Sequence, residues 1–306
     1  PAGGPNKTYI GGGYSHLLRG ERFLHLWLDK HGYEYDVITD HDLDRNPGLL
    51  KGYKAVLVNG HSEYWSARAY DGLDNYLKAG GAAVVMSGNT MFWRVSFDES
   101  GEVMECRKFG KGIGGRNLAK VGELYHSHDF KRGSLMRFCG YPAWKLVGLE
   151  CIGWAGGNFA NYQVDQSDHF LFNKPHKIEL KKGDPFGFTN NKKGAVGHEY
   201  DVRLSTLLRA TKNPVLKGLV EPKGIVTIAS SQSKRNILDF NAEGHRQRAG
   251  DEQTIAEIIY WDRPEGGQVF HTGSIATAWA MYHDKALSAL VRNVLHHFGV
   301  EPKRQP

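Results

Sequence analysis

The apolar positions of this chain change period several times, and each change marks an element. From Leu17 to His31 they fall at 17, 18, 23, 24, 27 and 28, the spacing of one helical face, and Gly32 closes the run. "EYDVITDHDLD" (34–44) then predicts a short β-branched strand ending in polar residues. "YKAVLVNG" (53–60) is a continuous apolar run of strand length, the type buried on both faces of a parallel sheet. Ser66 is placed to cap a helix with Tyr70, Leu73, Tyr76 and Leu77 on one face, and Gly80-Gly81 stops it. "AAVVMSGN" (82–89) predicts a second buried strand. Elements alternating at such short intervals predict an α/β fold with a doubly wound, mostly parallel sheet.

Between about Phe97 and Asn191 the periodicity dissolves. Glycine, aromatic and polar residues mix there, which predicts a large loop-rich β insertion. Pairing signals return in "GIVTIASS" and in "IAEIIYWDRPEGGQVFHTGS", whose two apolar runs flank a Pro-Glu-Gly-Gly turn. Residues 284–298 form the pattern of an amphipathic closing helix. With no internal repeat or low-complexity linker, residues 1–306 read as one domain carrying an insertion at 97–191. The start, "PAGGPNKTYIGGGYS", is loop-like and has no initiator Met, which suggests the C-terminal piece of a longer chain.

Composition narrows the class. Thirty-eight glycines cluster between apolar runs, as in a loop-rich globular protein. Cys106, Cys139 and Cys151 are few, scattered and odd in number, which argues against a disulfide framework or a CxxC metal site and accords with a cytoplasmic location. The net charge of +6 comes from 39 basic and 33 acidic residues spread along the chain, a solvated surface rather than a nucleic-acid face. No stretch approaches the ~20 apolar residues of a membrane span.

Candidate chemistry gathers where strands end. His61 and Glu63, in "GHSEYWS", follow the 54–59 strand at the carboxyl edge where open α/β sheets bind ligands. Two apart, they can bind a metal or act as an acid/base pair; on an exposed loop they would simply be solvated. In "VVMSGNTMFW" the strand-to-turn apex, which carries a Ser or Cys nucleophile in α/β hydrolases and glutamine amidotransferases, would be Asn89. Its amide cannot attack a carbonyl but can donate to a developing oxyanion; equally, Asn tolerates a left-handed turn. Glu199, in "GAVGHEYD", is a general base if burial raises its pKa, and otherwise a surface residue at a strand end. "LYHSHDF" offers His126, His128 and Asp129 as a possible metal set without an evident third ligand from elsewhere. His271 ends an apolar strand and suits a structural or pocket-lining role, and His296 and His297 suit a helix C-terminus.

Taken in order, "FLHLWLDKHGYEYDVITDHDLD", "GHSEYWS", "SGNTMFWRV", "VGHEYD" and "VFHTGSIATAWA" resemble the C-terminal catalytic portion of the N,N-dimethylformamidase large (beta) subunit. The resemblance implies a glutamine-amidotransferase-like domain in a cytoplasmic hetero-oligomer. Its partners would be a small alpha subunit and the N-terminal part of the same large subunit. It also implies a mononuclear Fe(3+) held by two tyrosine phenolates and a glutamate that matches Glu63. His61, Asn89 and Glu199 match the family's catalytic histidine, asparagine and glutamate. The two tyrosine ligands match neither Tyr9 nor Tyr14 and are expected upstream of residue 1. The expected activity is hydrolysis of dimethylformamide or a related small N-alkyl amide to formate and amine. A nucleophile-less binding or assembly module and, more remotely, a glycan-binding module remain as alternatives.

Overall fold

A computed structural model describes residues 16–108, 121–189, 194–210, 216–233, 238–240, 246–248 and 253–303. Its helices are α1 (Leu18–Lys30), α2 (Asp40–Arg45), α3 (Ala67–Lys78), α4 (Ala143–Val147), α5 (Leu204–Ala210), α6 (Thr277–His283) and α7 (Lys285–His297). The strands of the first half are β1 (Ala55–Gly60), β2 (Tyr64–Ser66), β3 (Ala82–Ser87), β4 (Trp93–Phe97), β5 (Met104–Cys106), β6 (Glu150–Ala160) and β7 (Tyr162–Val164). Those of the second half are β8 (Pro185–Phe186), β9 (Val196–Val202), β10 (Ile225–Ser233), β11 (Leu238–Phe240), β12 (Arg246–Arg248), β13 (Gln253–Asp262) and β14 (Gln268–His271). Among the described residues no helix is long and apolar enough to cross a membrane.

The main sheet has the order β1-β3-β14-β13-β10-β7-β8. Only β1–β3 and β3–β14 are parallel; the remaining four pairs are antiparallel. The expectation of a mostly parallel sheet is thereby corrected to a mixed one. A buried strand reads as the same apolar run whichever way its neighbour runs, so direction is set by connections. The Pro-Glu-Gly-Gly turn joins β13 to β14 as a hairpin, the parallel strands β1 and β3 are linked through α3, and β14 pairs with β3 only after the chain from β4 to β13 intervenes. Two smaller sheets, β12-β11-β6-β9 and β2-β4-β5, lie beside it.

Alternation along β3 shows how both faces are filled. Val84 and Met86 join a core with Trp27 and Leu28 of α1 and Leu290 and Val294 of α7. Ala83 and Val85 point the other way, into a core with Leu73 and Leu77 of α3 and Leu146 of α4. Trp27 Nε1 donates to Ser288 Oγ at 2.7 Å and so ties α1 to α7. The strand expected from "EYDVITDHDLD" is instead an extended segment followed by α2. Thr39 Oγ1 accepts the Asp42 N–H at 3.1 Å and Asp42 accepts the Thr39 N–H at 2.8 Å, a reciprocal cap that turns the second half of this stretch into a helix, while Val37 and Ile38 before it pair with no strand among the described residues. Within 97–191, β7 and β8 complete the edge of the main sheet and β6 pairs with β9.

Two measurements check these assignments. Ser66 Oγ accepts the Ala69 N–H at 3.0 Å, as its sequence position predicts, so Ser66→Ala should cost about 1 kcal/mol in chemical denaturation. His271 is fully buried, and burial pushes its imidazole from 6.5 down to about 3. A neutral folded imidazole whose unfolded form takes a proton contributes stability above pH 6.5, and that stability is lost as the pH falls towards 3. Its own contribution to the urea midpoint should therefore fall between pH 7 and pH 4.5, and the difference in midpoint between wild type and His271→Asn should shrink over that range.

Candidate active site

The parallel pair β1–β3 ends at Gly60 opposite Ser87, and there the two chains part. They rejoin, after residues 61–63 on one side and 88–92 on the other, as the parallel pair β2–β4, with Tyr64 opposite Trp93. Between the two pairings Met91 N–H donates to Ser62 O at 2.9 Å and Trp93 N–H to Glu63 O at 2.8 Å. The segments carrying His61, Glu63 and Asn89 are thus held side by side at the carboxyl edge of the sheet. Ser87 Oγ donates to Gly60 O at 2.8 Å and clamps the fork.

β9 closes this fork from the insertion side. Gly88 sits so tightly on it that a Cβ there would collide with the Glu199 carbonyl oxygen. Only glycine allows the turn to approach β9 this closely. The turn itself is left-handed at Asn89 (φ 51°) and Met91 (φ 54°), and β9 is left-handed at His198 (φ 70°). Three such non-glycine residues in one place mark backbone conformations imposed by the surrounding structure.

The geometry brings together His61, Glu63 and Glu199, whose ligand atoms all lie within 4.8 Å of one another. His61 Nε2 is 3.0 Å from Glu63 Oε2, and His198 Nε2 is 3.9 Å from Glu199 Oε1. Glu199 is 7% exposed, and its Oε2 is buried with no hydrogen-bond partner. Burial, reinforced by the Glu63 charge, lifts the Glu199 carboxyl to about 8. The hydrogen bond with Glu63 raises the His61 pKa. His198 goes the other way, to about 4, through burial and the nearby His16 and His61. His16 stacks on His198 with ring centroids 4.5 Å apart and lies 5.5 Å from the His61 ring.

Asn89 occupies the turn as expected. Its backbone N–H donates to Asp201 Oδ1 at 2.8 Å, and its Oδ1 accepts from Cys151 Sγ at 2.8 Å. Tyr64, beside Glu63, accepts from Lys108 Nζ and has its phenol pKa raised by burial and then by Glu63. Burial pushes the Cys106 thiol up to about 11, so it is no thiolate nucleophile at neutral pH. Two cavities, of about 340 Å³ and 490 Å³, lie elsewhere; the first shares Tyr64 and Ser66 with the β2 segment but is not walled by the cluster.

Other sequence candidates go elsewhere. His126 turns into the core, 2.6 Å from Ser96 Oγ and 3.3 Å from Arg94 Nη1, while His128 lies 3.8 Å from Glu105. Asp129 pairs with Arg94, so these three residues form no shared metal set. Phe92 and Trp93 pack with Leu124, Leu135 and Cys151, and Trp65 packs in the core beneath α3. His296 pairs with Glu301, and His297 meets Tyr260. Tyr9 and Tyr14 lie outside the described residues. Sequence reading missed His16 and Cys151, which carry no local motif, and gave Asp201 no role of its own, although its spacing of two from Glu199 was a usable signal.

Over residues 5–288 the chain matches the family described as N,N-dimethylformamidase beta subunit-like, C-terminal. It is 31% identical over 292 residues to the N,N-dimethylformamidase beta subunit of an Alcaligenes species, covering 90% of this chain and 36% of that protein. It is 30% identical to the N,N-dimethylformamidase beta subunit of Paracoccus aminophilus over the same shares. The chain therefore spans about a third of the length of these relatives (36%). Among solved structures, a ThuA-like protein from Bacteroides uniformis aligns with a TM-score of 0.45 and 11% identity, covering 98% of this chain and 89% of that one. Matched across nearly its whole length, the chain belongs to the N,N-dimethylformamidase beta-subunit family, in the C-terminal part of that subunit.

Proposed function

We propose that the cluster is the catalytic centre of an amide hydrolase. It would convert N,N-dimethylformamide or a related small N-alkyl amide to formate and an amine by attack of water, with a mononuclear ferric ion as cofactor. The observation that carries this reading is the convergence of His61, Glu63 and Glu199 within 4.8 Å at a strand edge. The relatives are named beta subunits, which supports a hetero-oligomer; its other parts would be a small alpha subunit and the N-terminal part of the same large subunit.

The donor set fits a cation. The Glu63 carboxylate is an oxygen donor suited to a hard ferric ion, and the unpaired buried Glu199 oxygen beside it, with its carboxyl raised to about 8, marks a place where a second negative charge is resisted until a cation joins it. Glu63 would hold the ion, with the two phenolates expected from the resemblance supplied by other tyrosines. Such an ion, when bound, supplies Lewis acidity that polarises a carbonyl oxygen or makes water more acidic.

The chain's own residues do the rest. Glu199, whose high proton affinity and free oxygen suit a base, takes a proton from the attacking water as its oxygen bonds to the carbonyl carbon. It returns that proton to the amide nitrogen as the carbon–nitrogen bond breaks. Asn89 Nδ2 donates to the carbonyl oxygen while negative charge builds there. His61 donates to Glu63 and fixes its orientation, a role set by their 3.0 Å contact.

In the intact assembly, Glu63→Gln and Glu199→Gln should each lower kcat/KM for dimethylformamide about 10²-fold or more, read as formate release. Variants with wild-type turnover would sink the reading in favour of a binding or assembly module. Stripping iron with a chelator should abolish turnover, and ferric reloading should restore it. Undiminished activity in iron-free protein would remove the cofactor from the proposal.

A further inference from the structure

Asn89 is gripped from behind by two residues that face each other across one strand pair. β6 and β9 run antiparallel with Cys151 opposite Asp201, so the two side chains leave the same face of the sheet. Asp201, fully buried, accepts the Asn89 N–H through Oδ1 at 2.8 Å and the Thr90 N–H through Oδ2 at 3.2 Å. Cys151, also buried, donates its S–H to Asn89 Oδ1 at 2.8 Å. One residue holds the backbone and the other holds the amide.

A third group lies beside the grip without bonding to it. His271 Nδ1 accepts the Gly273 N–H at 3.0 Å, which leaves the ring proton of the neutral imidazole on Nε2. That nitrogen lies 3.7 Å from Asp201 Oδ2. Asp201 N–H in turn donates to Gly273 O at 2.9 Å, so β9, the segment after β14 and the turn after β3 are joined through one residue.

We propose that Asp201 and Cys151 are positioning residues for Asn89: Asp201 fixes its left-handed turn, and Cys151 fixes the amide so that NH2 is the end offered to substrate. The inference rests on the reading of Asn89 as donor to the carbonyl oxygen. A flipped amide would present its own oxygen to a developing negative charge and oppose it. Asp201 is also two residues from Glu199 on β9, so one strand sets the spacing between donor and base.

The test uses the intact assembly with dimethylformamide and compares kcat, KM and melting temperature for single and double variants. Asn89→Ala should lower kcat about 10²-fold. Asp201→Asn, which keeps the shape but replaces one acceptor with a donor, should also lower kcat by up to about 10²-fold at nearly constant KM. Cys151→Ala should lower kcat about tenfold, and Cys151→Ser, which keeps a donor, should recover most of that loss. In an Asn89→Ala background neither Asp201→Asn nor Cys151→Ala should lower kcat further. Multiplicative losses in the double variants, or equal behaviour of Cys151→Ala and Cys151→Ser, would overturn the proposal, and the cysteine pair still decides it if Asp201→Asn fails to fold. If Asn89→Ala costs activity and the Asp201 and Cys151 variants do not, only this inference falls. If Asn89→Ala itself costs nothing, the donor role assigned above falls first.

Discussion

Two carboxylates held together in a half-buried recess set the character of this protein. Like charges a few ångströms apart in low dielectric repel by several kcal/mol, so one of them keeps its proton or a positive charge joins them. Glu63 is partly answered by the His61 ring at 3.0 Å, and Glu199 is left with a bare oxygen and a carboxyl lifted to about 8. The neighbouring imidazoles of His16 and His198 do not supply the missing charge, because burial lowers both. Lys108 engages the Tyr64 hydroxyl. The recess therefore combines acidic donors with neutral rings, an environment suited to a cation and to proton transfer near neutral pH.

The fold sustains this arrangement by rigid pairings on every side of it. β1 with β3 lies below the fork and β2 with β4 lies beyond it, so the intervening segments cannot drift apart. β9 presses against the turn at Gly88, where even one methyl group would force a backbone to move. The buried Asp201 is tolerated because two backbone N–H groups end on its oxygens. Of the described non-glycine residues with left-handed backbone, Asn89, Met91 and His198 lie in the segments that border the cluster, whereas Phe130 and Ser134 lie outside them.

Much of this was legible in the sequence where the information is local. The α1 and α3 faces, the Ser66 cap and the β1 and β3 runs follow from period and capping alone, and they place His61, Glu63 and Asn89 at one sheet edge. The second half of the strand expected at 34–44 is helical for an equally local reason, the Thr39–Asp42 cap. What could not be read is long-range. Glu199 reaches Glu63 because β9 lies against Gly88 and against the segment after β14, where Asp201 N–H donates to Gly273 O, and no periodicity encodes those contacts. The antiparallel half of the sheet was misjudged because burial on both faces fixes composition but leaves direction open. His126 and His128 share a spacing but not a face, since they lie in a turn, where strand alternation does not apply.

The division of labour between the two acidic residues follows from their partners. A general base needs an oxygen or nitrogen free to meet water, and a proton affinity near the working pH. His61 fails the first condition at Nε2, which is committed to Glu63, and that bond makes its protonated form more persistent. His198 fails the second, since burial makes it too weak a base. The thiols of Cys106 and Cys139, both near 11, are too weakly ionised to attack a carbonyl. Glu199 meets both conditions, with Oε2 unpaired and its carboxyl near 8. In the proposed hydrolysis, an elbow that ends in an amide rather than a hydroxyl or thiol leaves water to attack, and Glu199 would take its proton.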